Sequence, residues 1–157
     1  MALNFSKDAT KVIKCAAEKA RQKGHETIET AHILFGIIRI APKIGLDDFI
    51  SNAFYGRPVL IEVESRLGRI VKLPSEPESP FDIPTTSRYA RTAIYAAVSF
   101  AEEMNSNDVH PMHLLYGLLD VDYSQAEACI LSAGADPERV REVCRNYFSS
   151  ANSKIGQ

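Results

Sequence analysis

The sequence predicts an all-α fold of two tandem, pseudo-symmetric four-helix repeats related by an approximate internal two-fold axis. Three observations predict it. His32-Ile-Leu-Phe-Gly36 returns as His113-Leu-Leu-Tyr-Gly117, an offset of 81 (32 to 113, 36 to 117). The same offset pairs Ala9, Ile13, Ala16 and Ala20 with Ala90, Ile94, Ala97 and Ala101, and Val59 and Leu67 with Val140 and Phe148. Apolar residues recur at three- and four-residue steps, and period-two alternation is confined to a weak Ile61–Val63 stretch inside a helical pattern. An apolar pattern repeated at fixed spacing marks two copies of one folding unit.

Taken in order, residues 6–23 form the first helix. Phe5, Ala9, Val12, Ile13, Ala16, Ala17 and Ala20 share one face, and most of the lysines lie off it. Ser6 is its N-cap and Gly24 its left-handed stop. The alanines let a neighbouring helix come close, so this face belongs in the middle of a bundle. Thr30 caps a second helix that runs to about Ile40 and is apolar almost all round, the mark of a buried helix. Gly36 inside it costs about 1 kcal/mol against alanine. The recurrence of that glycine at 117 points to a close helix crossing. Pro42 ends this helix, a short one follows near 44–52, and a fourth runs from Gly56-Arg-Pro58 to Gly68.

Residues 72–84 change character. Four prolines and three acidic residues forbid a helix and predict an extended connector, with Phe81 and Ile83 pinning it to the surface. Ser87 then caps a helix with Ala90, Ile94, Ala97, Val98, Ala101 and Met104 inward. Pro111 opens the next helix, to about Val121, where its missing N–H costs little. Ser124 caps a third, ended by Gly134. Asp136-Pro137-Glu138 opens the last, with Val140, Val143, Cys144, Tyr147 and Phe148 inward. The organisation is a first repeat at 1–71, a Pro-rich linker at 72–84, a second repeat at 85–150 and a flexible tail at 151–157, together one compact domain.

The bulk numbers exclude several classes. A net charge of −2 offers no basic stripe for nucleic acid. No apolar run is long enough to span a membrane, and residues 1–5 lack a signal-peptide layout. Three cysteines without CxxC spacing fit reduced thiols in the cytoplasm, with Cys15 as a small buried hydrophobe.

The doubled motif resembles the amino-terminal domain of Clp/Hsp100 ATPases. Phe5-Ser6-Lys7-Asp8-Ala9 and residues 25–36 carry the resemblance in the first half. Residues 86–90 and 107–117 carry it in the second. The resemblance implies a docking module (a double Clp-N motif) that receives substrate or adaptor proteins for a Clp ATPase ring or Clp protease. It equally admits a stand-alone accessory subunit that docks on a Clp complex and regulates it. The sequence contains no G-x-x-x-x-G-K-[ST] loop, so neither nucleotide binding nor catalysis is assigned to it. Some members of the family bind phosphorylated arginine through a Thr-Glu-His stretch at the start of the second helix of each unit, helped by a hydroxyl opening the first. Here the hydroxyls remain as Ser6 and Ser87, but the acid positions hold Ala31 and Met112. Without those carboxylates the charge-assisted bonds to such a ligand are lost. An edge of Met112 and Phe5 would favour apolar partner segments instead.

The candidate protein-binding residues are therefore those at the helix starts: Phe5, Ser6, Glu29, Thr30, Ser87 and His110. No catalytic residue, cofactor or metal ligand is assigned. His32 and His113 are read as satisfied core or capping histidines. A rival reading builds a small metal-binding helical protein around His110 and His113, three residues apart, but no third ligand stands at convincing spacing.

Overall fold

The computed structural model describes residues 4–69 and 85–155. The predicted connector at 72–84, with Phe81 and Ile83, falls outside them. Among the described residues there are eight α-helices: α1 (Lys7–Gln22), α2 (Thr30–Ile40), α3 (Asp47–Ala53), α4 (Val59–Arg69), α5 (Arg88–Glu103), α6 (Pro111–Leu119), α7 (Gln125–Ser132) and α8 (Pro137–Ile155). A 3-10 turn, Ala41–Ile44, follows α2 where Pro42 breaks it. Two-residue strands β1 (Thr27–Ile28) and β2 (Thr85–Thr86) complete the set. The backbone of α8 continues to Ile155, past the Ser150 at which the sequence places its end.

The helix ends follow local chemistry. The Ser6 and Ser87 hydroxyls accept the N–H groups of Ala9 and Ala90 at 3.0 and 3.1 Å, satisfying one orphan donor in each first turn. Ser124 does the same for Glu127, and Asp136 for Glu138. After α1 the chain turns at Gly24 with φ 71°; at the equivalent place after α5 it turns at Asn105 with φ 55°, asparagine being one of the few residues that tolerate the left-handed region.

The core is the two small-residue faces closed over the two apolar helices. Ala9, Val12, Ala16 and Ala20 of α1 are fully buried against α2, and Ala90, Ala93, Ala97 and Ala101 of α5 against α6. A Cβ on Gly36 would stand 2.5 Å from the Val12 carbonyl oxygen; one on Gly117 would stand 2.3 Å from the Ala93 carbonyl oxygen. Both glycines exist because a helix backbone lies where a side chain would be.

The two halves are laced across each other. Within each half the second helix packs on the fourth, α2 on α4 and α6 on α8. Between halves α4 packs on α7 and α3 on α8, the same contact made twice by the pseudo-two-fold. The segments before the helices cross as well. β1 pairs in parallel with β2, Ile28 opposite Thr86, and Phe5 bridges Val109. Those pairs are equivalent under the same 81-residue offset. Strands of two residues are too short for any alternation to announce them.

Candidate functional site

Each crossing places the start of a first helix beside the start of the other half's second helix. At one seam the Ser6 N–H donates to the Val109 carbonyl and the Val109 N–H donates to the Asn4 carbonyl, both at 2.9 Å. At the other the Ser87 N–H donates to the Ile28 carbonyl at 3.0 Å. Of the residues predicted to bind, Phe5 and Ser6 thus pair with Val109, next in the chain to His110, at the first seam, and Ser87 pairs with Ile28, next to Glu29, at the second.

Two buried histidines hold both seams. The Nδ1 of His32 accepts the Glu29 N–H, and the Nδ1 of His113 accepts the His110 N–H, each at 2.8 Å. Each ring therefore ties the residue before its helix to the helix itself. A ring that accepts at Nδ1 carries its neutral-state proton on Nε2. His32 passes that Nε2–H to the Nδ1 of buried His25 at 2.8 Å. His113 instead lies between Phe100 and Phe148. Burial, helped by the neighbouring His25 and His110, pulls both rings down from 6.5 to about 4. Both perform the capping role read from the sequence, but only His32 is fully satisfied: the Nε2 of His113 is buried without a hydrogen-bond partner.

Three sequence expectations are corrected here. The N-cap of α2 is Glu29, not Thr30: the Glu29 side chain and His32 form a reciprocal capping box. Thr30 is buried, and its hydroxyl accepts the Ala126 N–H of α7 at 3.1 Å, capping a helix of the other half. Met112 is fully buried, as is Ala31, so neither presents an edge to a partner. Cys15 is half-buried and lines a surface cleft instead of disappearing into the core.

The first seam is aromatic. His110 accepts the Met112 N–H at Nδ1 (3.1 Å), leaving Nε2–H to face the Tyr147 hydroxyl at 3.3 Å. The Tyr147 ring stacks on His110, with centroids 5.1 Å apart, and meets Phe49 edge-on at 4.9 Å. Burial lowers His110, opposed by the carboxylates of Asp8 and Asp108, and raises Tyr147. Phe5, His110 and Tyr147 are half-buried and Phe49 is 41% exposed. The patch draws on α3 of the first half and on α8 and the N-cap of α6 in the second, and so on both halves. The second seam carries no equivalent patch: the 81-residue offset puts Arg66 where Tyr147 stands and Glu29 where His110 stands. Phe49 and Tyr147 were missed as site residues because each reads as one more apolar position on a helix. For Tyr147 the signal available was that its counterpart, Arg66, is polar; Phe49, whose counterpart is Ile130, gave none.

Among the described residues His110 and His113 gain no third ligand. Both Nδ1 atoms of His110 and His113 are engaged by backbone N–H groups, and no cluster of three or more metal-binding side chains occurs among the described residues. The pair on which the metal-binding rival rests is occupied with helix capping.

Residues 85–157 match the family described as the Clp repeat (R) N-terminal domain. Those residues carry a Clp repeat N-terminal domain. Chaperone protein ClpC1, chloroplastic, of Oryza sativa subsp. japonica is 31% identical over 152 residues, 97% of this chain. Chaperone protein ClpC, chloroplastic, of Pisum sativum is 31% identical over 150 residues. The chain spans 16% of the length of each of these relatives. Among solved structures, the Hsp104 N-terminal domain from Candida albicans superposes with a TM-score of 0.71 at 22% identity, covering 90% of this chain and 89% of that one. The N-terminal domain of the chaperone ClpD from Arabidopsis thaliana gives 0.69 at 20% identity, covering 92% and 97%. At those identities the likeness carries the helical-repeat fold alone. The part of a Clp ATPase matched by this Clp N-terminal domain is not the catalytic module. No helix among the described residues is long and apolar enough to cross a membrane.

Proposed function

We propose that this Clp N-terminal domain recognises client or adaptor polypeptides for a Clp-type AAA+ unfoldase or protease, and does no chemistry of its own. The observation that carries the reading is the aromatic cluster of His110, Tyr147 and Phe49 beside the Phe5–Val109 bridge, assembled from both halves with one ring 41% exposed. Aromatic rings with a polar edge suit the capture of extended apolar segments, since they bring large contact area at little cost in side-chain freedom. Glu29, Thr30 and Ser87 serve this reading as the frame of the opposite seam. A reducing compartment, the cytoplasm, suits three thiols that are all free.

A photo-crosslinking amino acid placed at position 49 tests it, with position 95 as control. Tyr95 is 69% exposed on α5 and stands outside the seam. With a permanently unfolded polypeptide as bait, crosslinks are expected at 49 and not at 95. Equal labelling at both, or none at 49, overturns the assignment. Co-purification of a Clp ATPase with the wild-type domain tests the partner.

A further inference from the structure

The pseudo-two-fold leaves one difference between the halves at the outer face of each first and second helix. In the second half, Phe100 of α5 stacks on Tyr116 of α6, with centroids 3.9 Å apart and planes 17° apart. The offset puts Lys19 where Phe100 stands and Phe35 where Tyr116 stands. Lys19 does not fill the space. Its ammonium lies 4.5 Å above the Phe35 ring and 3.3 Å from Glu64, and a cleft of about 440 Å³ opens beside it. Phe35 and Ile40 give that cleft an apolar floor.

Its walls differ in sign from the surface they correspond to. Arg39 and Lys43 line one side, both exposed, and neither has an ion pair with a described carboxylate. Glu18 lies on the α1 wall, and Glu64 is held by Lys19. In the second half the position of Arg39 is Asp120 and that of Lys43 is Ser124. The same face is thus filled in one half, with Asp120 at its α6 edge and Arg145 over Tyr116, and open and cationic at its α2 edge in the other.

We infer that the α1–α2 cleft is a second polypeptide-binding site, distinct from the aromatic seam, which takes a segment with an apolar side chain flanked by carboxylates. The apolar group rests on Phe35 and Ile40. The carboxylates meet Arg39, whose planar guanidinium matches them in two-point contact, and Lys43. The site is open to water, so its ionic part weakens with salt and its apolar part gives it selectivity over simple anions.

The test uses a short fluorescein-labelled peptide of alternating glutamate and leucine, read by fluorescence anisotropy against the whole chain. Binding is expected, and a peptide with glycine in place of leucine is expected to bind at least about tenfold more weakly, as is one with glutamine in place of glutamate. The double variant Arg39→Glu, Lys43→Glu changes only exposed side chains and is expected to lose at least about tenfold in affinity with an unchanged melting temperature. Lys19→Phe copies the second half and is expected to close the cleft with the same result. Tyr95→Ser, on the exposed face of α5 and outside both sites, is expected to leave this affinity unchanged. Failure of the wild type to bind the peptide, equal binding of the glycine peptide, or wild-type affinity in the Arg39/Lys43 variant would each overturn the inference.

Discussion

His113 lies flat on Phe148, their centroids 3.8 Å apart and their planes 1° from parallel. The stack seals a ring whose Nδ1 already holds the His110 N–H, so a proton added there removes a cap and puts a charge among aromatic rings. His32 likewise caps through Nδ1 at the other seam, with His25 beside it in place of the aromatic rings. Both rings are lowered from 6.5 to about 4 in the folded state, so between those values the unfolded chain binds more protons. Stability is therefore complete above about pH 6.5 and falls as the pH drops toward 4. Each ring adds a slope of up to about 1.4 kcal/mol per pH unit. Urea midpoints across this range check the sign. The variant His32→Asn, His113→Asn keeps an acceptor near Nδ1 without the titration, and should show a flatter profile.

Gly117→Ala should destabilise more than Gly36→Ala. The added Cβ at 117 meets two backbone atoms, the Ala93 oxygen at 2.3 Å and the Ala97 nitrogen at 2.8 Å. At 36 it meets one backbone atom that closely, the Val12 oxygen at 2.5 Å. Helices must move apart in either case, at a cost of about 1–3 kcal/mol, against which alanine's helix preference returns at most about 1. Gly68→Ala in α4 has open space and is expected to stabilise by up to about 1 kcal/mol. Chemical denaturation of the three variants gives the order.

Thr30→Val removes a hydroxyl that caps α7 from the other half, while keeping nearly the same shape. The buried Ala126 N–H is left without its acceptor, at a cost of about 1–3 kcal/mol. Ser6→Ala, which removes a cap within its own helix, should cost about 0.5–2 kcal/mol. Hydrogen exchange separates them: the Thr30 variant should loosen the start of α7, the Ser6 variant the start of α1.

Alkylation of the native protein should label Cys15 and spare Cys129 and Cys144, which are buried. Burial raises all three thiols, Cys144 most, so labelling of Cys15 should be slow near neutral pH and quicken as the pH rises. Mass spectrometry of the labelled peptides checks both points. Denaturant should expose the other two.

Much of this was legible in the chain because it is local or periodic. The repeat at 81 residues, the alanine faces, Gly36 and Gly117, and the serine caps at 6, 87 and 124 each express short-range rules. What was not legible depends on which half an atom faces. The sequence shows that Thr30 carries a hydroxyl near a helix start; that the hydroxyl belongs to α7 of the other repeat is set by packing. Met112 reads as an exposed tip only if the helix start is free, whereas the residue is fully buried. The aromatic seam was half visible: Phe5 and His110 stand at helix starts, but Phe49 and Tyr147 join them only once α3 lies on α8. The α1–α2 cleft is visible in neither copy alone, since it is the difference between Lys19 and Phe100.

The crossed contacts of α3 with α8 and of α4 with α7 have a consequence for cutting the molecule. A single repeat made alone would expose the flank of its fourth helix and the edge of its short strand. Two such fragments would carry complementary bare surfaces, related as the two halves are here, and should cover one another as a homodimer. In that light the chain is a dimer whose subunits have been sewn end to end, and a solution of separated halves should rebuild it without the thread.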